Sequence, residues 1–313
     1  MNVKRLPQIM VMLLCTVLIV MNFAITANAD TGPKPSVRVS FEKMGDELCY
    51  GTLLSDRTST GPSSAWDGVS ENSGRYKENE WYSYAALDYS IWKAFVEYED
   101  ADGYYFLQEG WQVNETKEMA WTYYPPYSFK ILLYYPETET FVVSGIYERY
   151  AFDSYYTVDM DGINIGSVEY SGGQSADERI EAYRSYNYRQ ELLSLAARII
   201  ITIVIEMTVA LLFGFRKKKQ LLVLVFVNIV TQIVLNVLLN VINYNSGPHA
   251  FVFCYIFFEI IVFVLEAVLY CTLLKKVSEQ PKKNWYYVLY ALVANAVSFG
   301  AGFIVSRMLP GIF

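Results

Sequence analysis

Three glutamates, Glu206, Glu259 and Glu266, lie inside long apolar runs of this 313-residue chain. An ionised carboxylate in hydrocarbon costs several kcal/mol, so such a residue normally faces a bundle interior or an aqueous cavity. A run of amides accompanies them. Asn228, Gln232, Asn236 and Asn240 recur at every fourth position; at about 100° per residue they drift across an arc of about 120° and form one stripe on a helix. Tyr255, Glu259, Glu266 and Tyr270 fall within about 60° of one another by the same geometry. Two kinds of chemistry suit this set. In one, interhelical hydrogen bonds of about 1 kcal/mol each specify helix pairing and register, and the carboxyls are protonated. In the other, Glu259 and Glu266 form a proton or cation site. No lysine or arginine falls at the same depth to pair with them.

These residues need spans to hold them. Four apolar runs, 193–215, 220–243, 250–274 and 285–306, each reach the roughly 20 residues that cross a bilayer as helix. Arg216-Lys217-Lys218-Lys219 separates the first two, Lys275, Lys276, Lys282 and Lys283 separate the last two, and the loop from Tyr244 to His249 carries no lysine or arginine. The positive-inside rule puts both basic loops in the cytoplasm, and the uncharged loop, the C-terminus and the long N-terminal region outside. Counted inward at about 1.5 Å per residue, Glu259 and Gln232 lie about 15 Å deep with Asn295 a little deeper, and Glu206, Asn228 and Glu266 lie at about 20–24 Å. The expectation is two stacked polar layers in a four-helix bundle, with amides donating to carboxyls.

The N-terminus is consistent with this orientation. Lys4 and Arg5 precede an apolar segment and Ala27-Asn28-Ala29, the pattern of a secretory signal over 1–29. The region from Asp30 to Gly172 is acidic and tyrosine-rich, which disfavours nucleic acid and other polyanions as partners. Of the four cysteines only Cys49 falls in it, so it has no disulfide framework and needs an ordinary core. The roughly 160 residues from Asp30 to about Gln190 suffice for one. Short aromatic and β-branched runs at 36–42, 47–54, 104–110, 120–124, 129–135, 140–146 and 155–159 predict an antiparallel sandwich. Trp81, Tyr84, Ala85, Asp88, Ile91, Trp92 and Phe95 recur at helical spacing and predict one helix over 78–98 packed on the sheet. Ser55 to Gly74 reads as a mobile loop. A charged stretch without Gly or Pro, 176–192, predicts a helical stalk running into the first span.

Weaker signals stay with their plainer readings. The single histidine, His249, reads as a loop residue at the outer face, and without Cys or His neighbours it makes no zinc site. Asp159-Met160-Asp161-Gly162 reads as a β-turn, because the ligands of a calcium loop do not continue after it. Asn114-Glu115-Thr116 matches a glycosylation sequon. Trp66, Trp81, Trp111 and Trp121 suit either a core or a stacking platform. The chain carries no nucleophile elbow, P-loop, paired-histidine motif or dinucleotide fingerprint, so no metal, cofactor or enzymatic activity is expected.

The run Leu211-Leu212-Phe213-Gly214-Phe215-Arg216-Lys217-Lys218, then Asn228, Thr231-Gln232 and Leu235-Asn236, then Glu259 and Glu266 to Tyr270 resembles an uncharacterised family of membrane proteins of Clostridia-type Gram-positive bacteria. Gly32-Pro33-Lys34-Pro35-Ser36-Val37 and Tyr150-Ala151-Phe152-Asp153-Ser154-Tyr155 are similar to that family too. The resemblance implies a bacterial cell envelope and the same four-span layout; it assigns no functional residue.

The sequence reading is therefore a multi-pass plasma-membrane protein of mixed fold: an extracellular β-sandwich-like domain with one helix, a stalk, and an all-α four-helix bundle. Its expected role is non-enzymatic, with the lipid bilayer and a membrane or cell-envelope protein as partners and an unidentified ligand. The alternative is a small transporter or channel subunit. The polar cluster is Glu206, Asn228, Gln232, Asn236, Glu259, Glu266, Tyr270 and Asn295.

Overall fold

Alternation of apolar and polar residues in Ser36–Glu42 (β1) drives Val37, Val39 and Phe41 to one side, where all three are buried, and leaves Ser40 and Glu42 exposed. That period of two places one sheet face on a core. The computed structural model describes residues 33–68, 87–163 and 179–308. The expected signal segment and the first part of the expected helix, 78–86, lie outside the described residues. The chain divides into two compact units, one of Lys34–Tyr186 and one that includes Asn187–Phe313.

The first unit holds two sheets that share a core. A four-stranded sheet runs β13 (Ala182–Arg184), β11 (Asp153–Asp159), β1, β7 (Glu118–Trp121). The larger sheet runs β12 (Arg179–Ile180), β9 (Thr140–Ser144), β8 (Ser128–Tyr135), β2 (Tyr50–Ser55), β5 (Tyr105–Phe106), with β6 (Trp111–Gln112) on β2 and β10 (Tyr147–Glu148) on β8. Val37, Val39, Met119, Trp121, Tyr156 and Val158 from the first sheet meet Leu53, Phe129, Ile131, Leu133 and Val142 from the second.

Strand β8 is buried along nearly its whole length because both of its faces are covered. Phe129, Ile131 and Leu133 enter the shared core, while Leu132 and Tyr134 pack with Ile91, Trp92 and Phe95 of helix α1 (Tyr89–Glu97) on the other side. The three apolar residues of α1 fall on one helical face, and burying each contributes about 2 kcal/mol. Trp92 also donates from Nε1 to Gln108 Oε1 at 3.2 Å, and Gln108 Nε2 donates to Ser64 O at 2.9 Å.

Three expectations are corrected. The sandwich is not purely antiparallel: β1 pairs with β11 and β12 pairs with β9 in parallel. The chain passes through the other sheet between these partners, which supplies the crossover that parallel pairing requires. The stretch expected as a mobile loop contains a hairpin, β3 (Ser59–Thr60) with β4 (Ser63–Ser64), which turns at Gly61 with φ +53°. The helical stalk expected over 176–192 is strand in its described first half. Arg179–Ile180 lies along β9 and Ala182–Arg184 along β11, and Ile180 is buried in the core. Free sheet edges offer the backbone hydrogen bonds, and these outweigh a merely permissive helical composition.

Helix begins instead at Tyr188, after a short α2 (Val113–Thr116) earlier in the chain. Helix α3 (Tyr188–Leu212) is capped by Asn187, whose Oδ1 accepts from Gln190 N at 3.1 Å, a preferred start. It ends at Gly214, φ +79°, with Phe215 N donating back to Ala210 O at 3.0 Å, the closure that a left-handed glycine permits. Helix α4 (Lys218–Leu269) is broken at Gly247, φ +80° and ψ −179°, and Pro248 follows. Its two arms fold back on each other through Leu235, Leu239 and Ile242 on one and Cys254, Phe258 and Val262 on the other. A π-helical turn, Tyr270–Leu274, ends the second arm. Helix α5 (Asn284–Met308) then packs against α3 and α4 through Tyr287, Tyr290, Ala291 and Ala294.

Candidate functional site

Along the first arm of α4 the buried residues include Leu224, Val227, Asn228, Thr231, Gln232, Leu235, Asn236 and Leu239. Their spacing of three and four marks one face. On the opposite face Leu222, Phe226, Val230, Ile233, Val234, Val237, Leu238 and Val241 are exposed. The inward face carries the asparagine, glutamine and threonine together with leucine and valine, whereas the outward face is wholly apolar, unlike the polar outer face of a water-soluble helix.

That inward face meets carboxyls from α3 and from the second arm of α4. Glu266 is fully buried and both of its oxygens accept: Oε1 from Thr231 Oγ1 at 2.7 Å and Oε2 from Asn295 Nδ2 at 2.7 Å. Three helical segments thus converge on one carboxyl. Asn295 Nδ2 also donates to Ala291 O at 2.9 Å, which uses both protons of its amide.

Glu206 is fully buried too, and neither of its oxygens has a donor at hydrogen-bond distance and angle, although the Asn228 and Ser298 side chains lie close enough to reach it with a small movement. Asn228 and Ser298 flank it, and Glu266 is close enough to interact with it electrostatically. Asn228 is buried with both its Oδ1 and Nδ2 unpartnered, as are Tyr270 OH and Asn295 Oδ1. Asn228 lies beside Tyr270 as well as Glu206. Tyr270 opens the π-helical turn, an irregularity frequent at functional sites. Tyr290 closes the inner side, its ring 5.3 Å from that of Tyr270 and its hydroxyl donating to Glu206 O at 3.3 Å.

The eight cluster residues therefore divide unevenly. Glu206, Asn228, Glu266, Tyr270 and Asn295 come together. Gln232 and Asn236 bond to each other along one helix, Asn236 Nδ2 donating to Gln232 O at 2.8 Å and to Gln232 Oε1 at 3.3 Å. Glu259 is half-buried, with Tyr255 beside it. Asn295, expected a little deeper than Gln232 and Glu259, bonds to Glu266 of the deeper layer. Thr231, Ser298 and Tyr290 were not singled out as cluster residues. The signal for Thr231 was its position three residues after Asn228 on the same stripe, and for Ser298 its spacing of three from Asn295.

The two basic loops meet at one end of the helical unit. Lys217 Nζ lies 3.2 Å from Glu279 Oε2, and Gln220 Nε2 donates to Ser278 Oγ at 2.9 Å. Phe213, Phe215, Tyr286, Tyr287 and Tyr290 cluster at the same end, and Tyr286 OH donates to Phe213 O at 2.6 Å. Arg198 sits over the Phe251 ring at 5.9 Å, and His249 is exposed next to Pro248.

Within Lys34–Tyr186 the acidic pair of the DMDG turn holds a cation of the chain itself. Lys43 Nζ donates to Asp159 Oδ2 at 2.9 Å and to Asp161 Oδ2 at 3.0 Å. The hydrogen bond to Asp159 raises the ammonium above its ordinary range, and the same bond holds Asp159 below the usual carboxylate value. Lys130 is deeply buried with Asp100, at 2.8 Å, and reaches Asp102 at 2.5 Å. Burial pushes its ammonium down, but the two carboxylates together outweigh burial and leave it raised. Trp121 is buried and packs on Trp111 at 5.8 Å, whereas Trp66 is partly exposed with its edge against Trp92 at 5.8 Å. Trp81 lies outside the described residues. Asn114 of the sequon accepts from Cys49 N at 3.4 Å.

Among the described residues two helices are long and apolar enough to cross a membrane, Tyr188–Leu212 and Lys218–Val277. No protein-family model, curated protein or solved structure matches this chain.

Proposed function

We propose that the chain is a multi-pass protein of a bacterial plasma membrane: α3, the two arms of α4 and α5 form a four-span bundle, and Lys34–Tyr186 is an extracellular domain that binds an envelope component or a partner protein without catalysing a reaction. The observation that carries this reading is the inverted polarity of the helical unit. Only 22% and 28% of the most apolar windows of its two long helices are buried, while Glu206, Asn228, Glu266 and Asn295 are inside. Lipid stabilises such a surface and water does not. Contact between the two basic loops supports a common cytoplasmic side. Exposed Tyr123, Tyr127 and Tyr183 supply the outer domain with the aromatic surface that recognition sites favour.

Protease treatment of intact cells tests the orientation. Cleavage within 34–186 from outside, with protection in inverted vesicles, is the expected result; the opposite pattern overturns it. Pull-down of the full chain against cell-wall fractions and envelope proteins tests the binding role.

A second reading, a small transporter or channel subunit, is favoured by the carboxyl of Glu206 and its unpartnered neighbours. Proton or cation flux in liposomes that is lost in the Glu259→Gln, Glu266→Gln double variant supports it. Flux that survives that substitution discards these two carboxyls as the coupling groups.

A further inference from the structure

Five buried oxygen atoms without hydrogen-bond partners belong to neighbouring side chains of the helical unit: Glu206 Oε1 and Oε2, Asn228 Oδ1, Asn295 Oδ1 and Tyr270 OH. Buried polar atoms in folded proteins are almost always partnered, and exceptions call for an explanation. The donors at hand do not balance them. The Asn295 amide protons go to Glu266 and Ala291, which leaves, among the described residues of the cluster, the Asn228 amide and the Tyr270 hydroxyl as unpartnered donors. With Glu206 ionised the acceptors outnumber these donors, and an excess of acceptors around a carboxylate is the chemistry of a cation site.

Ligand type and charge narrow the cation. All the free ligands are oxygens, which select hard cations. Glu266 has both oxygens engaged by Thr231 and Asn295, so of these two carboxyls Glu206 is the one without a hydrogen-bonded donor. A single negative charge is neutralised by a monovalent ion, whereas a divalent ion would leave net positive charge in a low-dielectric interior. Among the described residues no group of three His, Cys, Asp or Glu side chains is placed to hold a metal ion, and divalent sites usually draw on more carboxylates than one.

We infer that Glu206, Asn228, Asn295 and Tyr270 form a binding site for an alkali-metal cation between α3, α4 and α5, with Glu266 held aside as a hydrogen-bonded support. This inference rests on the membrane-spanning reading and deepens its transport alternative. It moves the coordinating carboxylate from Glu259 and Glu266 to Glu206.

The test uses the full chain, purified in detergent, with thermal unfolding followed in NaCl, KCl or choline chloride at constant ionic strength. A ligand bound only by the folded state raises Tm with concentration. The expected result is a saturable rise in NaCl or KCl over choline chloride, absent in Glu206→Gln, shifted at least tenfold to higher concentration in Asn228→Ala, and retained in Glu259→Gln. Should Glu206→Gln fail to accumulate, Glu206→Asp serves, with the same tenfold weakening expected. Identical Tm values for the wild type in all three salts overturn the inference and leave hydration or protonation of Glu206 as the explanation. A cation-dependent rise that persists unchanged in the Glu206 and Asn228 variants also overturns it, because the ion then binds elsewhere. Alkaline carbonate extraction of membranes separates the two levels: a chain that stays in the pellet yet shows no cation dependence loses the site alone, and a chain that is extracted loses the membrane reading.

Discussion

Asn295 donates to Glu266 Oε2 at 2.7 Å and, with its second amide proton, to Ala291 O one turn back on its own helix. The second bond fixes the amide so that the first can hold the carboxyl. Helix α5 is thereby tied to the second arm of α4 by a group that is buried on both sides.

Asn295→Leu is expected to lower stability by about 1–3 kcal/mol, because Glu266 Oε2 loses its donor while remaining buried. Combining it with Glu266→Leu should cost less than the sum of the two single changes, with a coupling of about 0.6–1.7 kcal/mol. Denaturant unfolding of the four variants in detergent gives that coupling directly, and strict additivity would count against the bond.

Gly247 separates the arms of α4 at φ +80° and ψ −179°, a region open in practice only to glycine. Gly247→Ala is expected to cost about 1–3 kcal/mol and to loosen the pairing of Leu239 with Cys254 and Phe258 across the turn. Cysteine crosslinking between the arms, compared in the two backgrounds, measures the loosening.

Lys130 and Asp100 form an ion pair whose side chains are 5% and 1% exposed. Lys130→Ala strands Asp100 and should destabilise the β-rich unit by about 3–5 kcal/mol. The pH dependence has a definite sign. The ammonium is raised in the folded chain, so its contribution is complete below the unfolded value of about 10.4 and is lost as pH rises through the folded one. Alkaline titration followed by circular dichroism of the backbone should show a steeper loss of structure in the wild type than in Lys130→Met.

Cys49 is fully buried between β2 and the core, and burial pushes its thiol up to about 12. The thiolate is the reactive form, so an iodoacetamide probe should leave Cys49 unlabelled in the folded chain at pH 8 and modify it after denaturation. Rapid labelling of the native protein at this residue, read by peptide mass, would contradict the burial. No disulfide involves it, and reducing agent should leave Tm unchanged.

Strands β1 and β8 were legible because their pattern is local: β1 alternates, and β8 is a mostly apolar, aromatic-rich run, interrupted by Lys130 and closed by the Pro136–Glu139 turn into β9. The segment 179–184 was not. Its composition permits a helix, and what makes it strand is the presence of open edges on β9 and β11, which come from parts of the chain far away in sequence. The same distinction holds in the helical unit. The amide stripe follows from the helical period alone, but that Asn295 bonds to Glu266 and not at the Glu259 level depends on how α5 packs against α4.

By itself the sequence determined which stretches are apolar enough to leave water, which polar residues travel with them and where the cationic loops fall, since these depend on composition and on a fixed helical repeat. Only the tertiary structure decided that Glu266 is satisfied by Thr231 and Asn295 while Glu206 is not. Hydrogen bonding is directional and short-ranged, so the partner of a buried carboxyl is chosen by the arrangement of neighbouring helices.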